Sequence, residues 1–524
     1  MDDLTDGQAL LDFLRRPDSF EDDGNVVEIR QTHISIVALT RTHAYKIKKP
    51  LNLGFLDFST REKRLAACEA EVQLNRRLSQ DVYLRVLPIS RRDSRLRFGA
   101  TGEVVDYAVQ MRRLQEEGFL SWRLAHDSIS ADELERLVKK LRDFYRRQTS
   151  DPEIARWGEI ERLRLSTNEN FAQIEQFVGN LISRPAFEAL RDFTELSYEK
   201  RRTLFGRRCA EGRILDCHGD LRCEHVHFTG AQINIIDCIE FNDRFRYIDV
   251  ANDIAFLAMD FDVRGHGVRG HGLVEQLADS LGDLELLKLL DFYKCYRACV
   301  RGKVSAFKSS EPDVAREDRD RSRQKAARFF QRALRYAISD SQPVLLVVMG
   351  RVGTGKSTLA RALAEAIGAA LFSSDKIRKE LAGVPLHERA DPDTRGRLYS
   401  EEMTRRTYAE MLSRALRAAT TDGAAVVDAT FGKHSQRELL RQKTNVRCLR
   451  VLLDVSDAEI KQRLQNRSSA QISDARLEDF EMLDAAYEHP DAIEQNEIVM
   501  INSGSTLEST VTAVFQLLIR IDAH

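Results

Sequence analysis

Six apolar residues in a row, Val344 to Met349, run directly into Gly350-Arg351-Val352-Gly353-Thr354-Gly355-Lys356-Ser357, and Thr358-Leu359-Ala360 then opens a helix. An apolar run of this length bounded by turn residues reads as a strand buried on both faces. The string after it satisfies G-x-x-x-x-G-K-[ST] at every fixed position. That spacing needs its residue types for a physical reason. Glycines let backbone N–H groups curl around phosphates, and the helix N-terminus adds a fixed positive end. The lysine reaches the β/γ-phosphates and the hydroxyl ligates Mg²⁺. Gly350, Gly353, Thr354, Gly355, Lys356, Ser357 and Thr358 are therefore the expected nucleotide-binding set.

The text around this loop commits to one architecture. After the linker Asp340-Ser341-Gln342-Pro343, apolar strands alternate with helices: Val344 to Met349, Ala370 to Ser373, Ala425 to Asp428, Val446 to Asp454 and Ile498 to Asn502, with Glu401 to Thr420 among the helices. Buried strands separated by helices predict an α/β doubly wound parallel sheet. Ligands of such sheets bind at the C-terminal ends of the strands. Asp375 follows the second strand and is placed to accept the proton of an acceptor hydroxyl, with Arg378 one turn on to bind an anionic acceptor. Asp428 ends the third strand, where it can hold the water shell of Mg²⁺. Arg463 and Arg467 are four apart on a helix, so they share a face and can close over a transferring phosphoryl group as lid arginines. From Pro343 to about Ser503 these stretches resemble the small P-loop kinases of the gluconate kinase, zeta toxin and polynucleotide kinase group.

The earlier part of the chain is written differently. Ile34 to Leu39 and Ala44 to Ile47 read as paired strands, Thr60 to Leu78 as a helix and Val104 to Met111 as a strand, and Ala131 to Lys200 is mostly amphipathic helix. His218-Gly219-Asp220-Leu221-Arg222-Cys223-Glu224-His225 is followed by a hairpin, Val226 to Phe228 and Ile233 to Asp237, turned at Thr229-Gly230. The hairpin returns the chain to the same cleft, so one of Asp220 and Asp237 can take a hydroxyl proton while the other holds Mg²⁺, the two tasks of phosphoryl transfer. Asp249 and Asp253, four apart at a helix start, are expected to hydrogen-bond this loop. The tandem Arg264-Gly265-His266-Gly267 and Arg269-Gly270-His271-Gly272 reads as a flexible loop.

From about Val26 to Ala306 the chain resembles the aminoglycoside phosphotransferase family, relatives of the protein kinases. The resemblance implies an α+β bilobal fold with Asp220 as the catalytic carboxylate and Asp237 on the metal. It also implies Lys46 on the α/β-phosphates and Glu71 as its ion-pair partner. Strand alternation puts Lys48 on the same side as Lys46, and Glu69 is close to Glu71, so the pair can slip by two. The implied domains are 1–340, with a small lobe over 1–112 and a helical lobe over 113–340, and 341–524. The whole chain resembles uncharacterised kinases fused to a P-loop domain.

Three departures from that family stand out. His225 occupies the place of a metal-binding asparagine, and a neutral imidazole is a poorer Mg²⁺ ligand than an oxygen. As a metal ligand, His225 therefore implies one ion, a different binding mode or an impaired site. The turn Thr32-His33-Ile34-Ser35 has no glycine to cover a nucleotide, though Ser35 can substitute, and no acidic patch marks an aminoglycoside pocket. A rival reading of Cys217, His218, Cys223, His225, His227 and Cys238 is zinc, but none has C-x₂₋₄-C spacing.

Composition removes other classes. Eighty basic against 82 acidic residues give a net charge of −2, with no basic-aromatic stretch, so a nucleic-acid partner is not expected. No apolar run approaches the roughly 20 residues of a membrane span, the Met1-Asp2-Asp3 start lacks a signal-peptide pattern, and eight scattered cysteines fit a cytoplasmic protein. The expectation is a cytoplasmic ATP- and Mg²⁺-dependent phosphotransferase of a small-molecule hydroxyl, with a site in each domain. The alternatives are a regulator whose first domain binds ATP without efficient transfer, and a nucleic-acid end kinase. The sequence leaves the oligomeric state open.

Overall fold

In the computed structural model, which describes residues 7–20, 28–93, 95–312, 314–386, 391–441, 446–466, 477–502 and 506–522, contacts divide the chain into two units. Unit one comprises Met1–Leu163 and Thr203–Tyr293; unit two comprises Arg164–Arg202 and Lys294–His524. The Asp340–Pro343 linker, where the domain boundary is drawn from sequence, lies inside unit two. The reason is visible in the helix Arg316–Ser339. Its Arg335 side chain is buried and donates to the carbonyls of Ile367 at 2.7 Å and Asp422 at 2.6 Å, both on helices that flank the P-loop sheet.

Unit one is organised by alternation along a strand. An antiparallel sheet of β1 (Glu28–Gln31), β2 (Ser35–Leu39), β3 (His43–Lys48), β4 (Tyr83–Arg92), β5 (Arg95–Phe98) and β6 (Glu103–Arg112) runs in the order β1-β2-β3-β6-β4-β5. Tyr45 and Ile47 of β3 face a core that includes Phe13, Leu14 and Phe20. Ala44 faces the other way, against Cys68 and Val72 of the helix Arg61–Asn75. With a side-chain period of two, Lys46 and Lys48 join Ala44 on the helix side. Thr60 caps that helix by accepting the Lys63 N–H, which fixes where it starts.

The remainder of unit one is mainly helical, with two small antiparallel ladders: β7 (Ile214–Asp216) pairs with the distant β10 (Tyr247–Asp249), and β8 (Val226–Thr229) forms a hairpin with β9 (Gln232–Ile235). The tandem glycine motif corrects its reading as a loop. Its second copy lies within the helix Gly267–Leu281. A Cβ on Gly270 would stand 2.6 Å from Cβ of Phe261, on the helix Val250–Val263. Glycine is used there for close helix packing, a role that its low helix propensity conceals.

Unit two holds the parallel sheet: β11 (Val344–Met349), β12 (Ala370–Ser373), β13 (Ala424–Asp428), β14 (Arg447–Asp454) and β15 (Ile498–Asn502), in the order β12-β13-β11-β14-β15. All neighbouring pairs are parallel. The five expected strands are present within a residue of their predicted ends. Every residue of β11 and β13 is buried, as a sheet covered on both faces requires. Among the described residues no helix is long and apolar enough to cross a membrane.

Candidate functional site

In unit one, the lysines that alternation places beneath the helix meet their carboxylate there. Lys46 Nζ lies 2.8 Å from Glu71 Oε1 and 2.7 Å from Asp237 Oδ1. Lys48 Nζ lies 2.7 Å from the other Glu71 oxygen and also pairs with Glu240. The two lysines thus share Glu71, and Glu69 is not in this arrangement. Burial alone would lower the Lys46 pKa, yet Asp237, Glu71 and Glu240 hold it well above the ordinary lysine value. The same lysine, with Arg222 adding to it, outweighs desolvation at Asp237 and keeps its carboxyl ionised far below the usual range.

Asp237 adopts φ of +64° just after β9. Its N–H donates to the Tyr83 hydroxyl at 3.0 Å, and the next N–H, of Cys238, donates to Asn75 Oδ1 at 2.9 Å. Tyr83 and Asn75 belong to the sheet lobe, so Asp237 is fixed relative to Lys46. Its side chain remains 44% exposed, open to a ligand.

The Asp220 loop is braced from the helix Val250–Val263. Asp253 accepts the backbone N–H groups of His218 and Gly219, each at 2.9 Å, and the Tyr145 hydroxyl at 3.0 Å. Asp260 accepts the N–H of Cys223 at 2.9 Å. Asp253 therefore holds the loop as expected. Asp249 instead caps its own helix and pairs with buried Arg208, which Asp283 also binds. His218 donates through Nε2 to the Ile236 carbonyl, because its Nδ1 accepts the Asp220 N–H, and burial lowers its pKa to about 4.

Asp220, His225 and Asp237 converge, each offering a ligand atom within 4.8 Å of the others. Against Asp220 and His225 stands Arg222, to which the sequence alone gives no role. Its Nε and Nη2 fork onto both Asp220 oxygens at 2.9 and 3.0 Å, and Nη1 pairs with Glu224. Nη2 also lies 2.9 Å from His225 Nε2, and His225 Nδ1 lies 2.8 Å from the Asp220 carbonyl oxygen. A guanidinium only donates, so Nε2 of His225 accepts and Nδ1 carries the proton. No cysteine enters either three-residue cluster of metal-capable side chains among the described residues, which leaves the zinc reading without its thiols.

In unit two the phosphate loop leaves β11 and enters the helix Lys356–Ile367. Gly350 has φ of +142°, and a Cβ there would lie 2.6 Å from the Leu453 carbonyl oxygen, so only glycine fits this close approach. Lys356 Nζ donates to the Arg351 carbonyl at 2.6 Å, folded back over the loop. Asp428 is buried at the end of β13, accepts hydrogen bonds from Ser357 and Ser373, and has its pKa raised by desolvation against the opposing charge of Lys356. Ser357 and Asp428 thus form an oxygen donor set of the kind a hard cation takes.

Asp375 sits half-buried in the first turn of the helix Ser374–Ala382. Arg378 is buried, donates to Leu398 O at 2.9 Å and Thr404 Oγ1 at 3.0 Å, and lies over the Tyr399 ring. Arg463 donates to the Thr354 carbonyl of the phosphate loop. Arg467 lies outside the described residues. Arg351 is a further loop residue with a tether that spacing did not signal: it binds Asp457 at 2.6 Å and Asp484 at 2.8 Å.

Fold and sites together define a protein of two units: an α+β unit on a six-stranded antiparallel sheet, and an α/β unit whose parallel sheet carries the phosphate loop. The family profile described as an AAA domain matches residues 345–490. Two uncharacterised proteins, Mb2027c of Mycobacterium bovis and Rv2004c of Mycobacterium tuberculosis, are each 30% identical over 426 residues, covering 79% of this chain and 80% of theirs. The chain belongs to the family of these mycobacterial proteins. Solved structures similar to parts of it include a gluconokinase from Sinorhizobium meliloti 1021, at 23% identity and a TM-score of 0.26, covering 34% of this chain and 93% of that one. Another is a choline/ethanolamine kinase family protein from Mesorhizobium loti, at 12% identity and a TM-score of 0.35, covering 63% and 98%.

Proposed function

We propose that the chain is an ATP-dependent phosphotransferase acting on the hydroxyl of a small molecule, with a nucleotide site in each unit. The observation that carries the reading is the phosphate loop between β11 and its helix, with Ser357 hydrogen-bonded to Asp428 on the neighbouring strand. In unit two, Lys356 and the loop N–H groups bind the phosphates, Asp375 accepts the proton of the attacking hydroxyl, and Arg463 covers the loop. Arg378, on the same helix as Asp375, contributes positive potential for an anionic acceptor. In unit one, Lys46 orients the phosphates, Glu71 holds Lys46, and Asp220 is the proton acceptor. Bound Mg²⁺, held by Ser357 and Asp428 in unit two and by Asp237 in unit one, would supply neutralisation of the phosphate charge.

A second reading, in which unit one binds nucleotide and regulates unit two, is favoured by the Arg222 fork that engages both Asp220 oxygens. The experiment that separates them is a metabolite-library screen for ATP-dependent phosphorylation using the wild type, Lys356→Ala and Asp220→Ala. Two products, each lost in one variant, support a phosphotransferase site in each unit. A product lost only in Lys356→Ala supports the regulator. No product from any of the three proteins rejects the phosphotransferase reading.

A further inference from the structure

His225 stands where the metal-binding asparagine of the resembled family would be, yet neither of its ring nitrogens is open to a metal. Nδ1 carries a proton that it donates to the Asp220 carbonyl, and the Nε2 lone pair receives a proton from Arg222. To bind an ion through Nε2, the histidine must first give up Arg222. Asp220 is in the same position: each carboxylate oxygen accepts one arm of the same guanidinium. Arg222 is itself 8% exposed and braced on its far side by Glu224, which Arg264 binds in turn at 3.2 Å. All three groups close enough to share an ion meet a cation of the chain, but Arg222 takes both oxygens of Asp220 and Nε2 of His225, whereas Lys46 takes only Oδ1 of Asp237. The Asp237 side chain is 44% exposed.

We infer that Arg222 is a built-in cation of the catalytic loop that keeps Asp220 and His225 out of metal coordination, so that unit one works with a single divalent ion carried by Asp237. The inference rests on the phosphotransfer reading of unit one. Arg222 places a permanent positive charge between the Asp220 carboxylate and His225, where a second ion would otherwise stand. His225 is then a positioning residue for Arg222.

The sign of the test is unusual: removing Arg222 should add a metal site. In the full chain carrying Lys356→Ala, at an analogue concentration that the weakened phosphate loop does not fill, bound Mn²⁺ is counted by electron paramagnetic resonance in the presence of a non-hydrolysable ATP analogue. One nucleotide-dependent ion is expected. Adding Arg222→Gln should raise the count to two, because Asp220 and His225 become available. One ion in both proteins, or two already in the parent, overturns the inference while leaving the nucleotide site of unit one standing. No nucleotide-dependent ion in either protein overturns both the inference and the reading beneath it.

Should Arg222→Gln fail to fold, a measurement on the parent chain decides. Nitrogen NMR of ¹⁵N-histidine-labelled protein, with the His225 signals assigned by loss in His225→Gln, should show the Nδ1–H tautomer. Those signals should not move when Mg²⁺ is added to the nucleotide-bound protein. A shift of the Nε2 resonance on adding Mg²⁺ would place a metal on His225 and overturn the inference.

Discussion

Lys48 and Glu240 form an ion pair sealed from water, with side chains 1% and 4% exposed. Glu240 lies three residues beyond Asp237, and Lys48 two residues beyond Lys46, so the buried pair runs parallel to the Lys46–Asp237 pair at the site. Glu71 ties the two together, accepting Lys46 on one oxygen and Lys48 on the other. A charge deep in the sheet lobe thereby fixes the carboxylate that faces the ligand.

Breaking that pair should cost stability before it costs chemistry. Replacing one partner strands the other as a buried, uncompensated charge, a loss of about 3–5 kcal/mol. Both tryptophans of the chain, Trp122 and Trp157, lie in unit one, so their fluorescence reports the denaturation of that unit. Lys48→Met should lower the unfolding free energy of that unit in urea by that amount, and the double variant Lys48→Met/Glu240→Leu should recover part of the loss. A single variant within 1 kcal/mol of wild type would show that the pair carries little.

The two nucleotide sites should be separable by lysine. Removing Lys356 deletes charge-assisted bonds to phosphate, worth about 1.5–3 kcal/mol, so Lys356→Ala should weaken the binding of a non-hydrolysable ATP analogue to unit two by roughly 10–100-fold. Calorimetry should then resolve one binding event where the wild type shows two. Lys46→Ala should remove the other event and leave that of unit two. A full complement of two sites in either variant would exclude its lysine from phosphate binding.

The parallel sheet was legible because its signal is local. Continuous apolar runs such as Val344–Met349 and a fixed-spacing loop carry strand, turn and helix start in consecutive residues. The Lys46–Glu71 pair was legible through resemblance, and alternation already flagged Lys48. What sequence could not supply were the long-range partners. Arg335 ties the helix Arg316–Ser339 to unit two through backbone carbonyls at Ile367 and Asp422, which leave no trace in side-chain identity. Arg222 stands in a string whose motif is carried by its flanking residues, and its meaning depends on the rotamer that brings its fork onto Asp220. Gly270 reads as a breaker until the helix that it lets approach is known.

Acid should loosen unit one through His218. Its pKa is about 4 in the fold, against 6.5 for an unperturbed histidine, because desolvation opposes the charged form. Between those two values the unfolded chain binds a proton that the folded chain refuses. Stability is therefore full above the higher pH and falls as the pH drops toward the lower one. At 1.36 kcal/mol per unit, the loss is about 3 kcal/mol. Tryptophan-monitored denaturation of the wild type and of His218→Gln, which keeps a donor for the Ile236 carbonyl, should show the variant less sensitive over that range. Parallel pH profiles would remove His218 as the cause.

Asp375 is the residue whose two readings differ most in what they cost. As a first-turn carboxylate of the helix Ser374–Ala382 it interacts favourably with the helix dipole, a contribution of about 0.3–1 kcal/mol. Its side chain does not cap the helix, since the N-cap is Ser373 and no side-chain cap bond is present there. Asp375→Asn should then lower the stability of unit two by less than about 1 kcal/mol and leave analogue binding unchanged, because Lys356 and the loop N–H groups are untouched. As a proton acceptor, by contrast, an amide of the same shape is useless, and loss of a general base typically costs about 10²–10⁴-fold in rate. With an acceptor identified by the metabolite screen, single-turnover transfer should fall by that factor while circular dichroism and nucleotide affinity stay level. A variant that transfers phosphate at the wild-type rate would reduce Asp375 to a helix charge and move the search for the base to another group at the ends of β12 and β13.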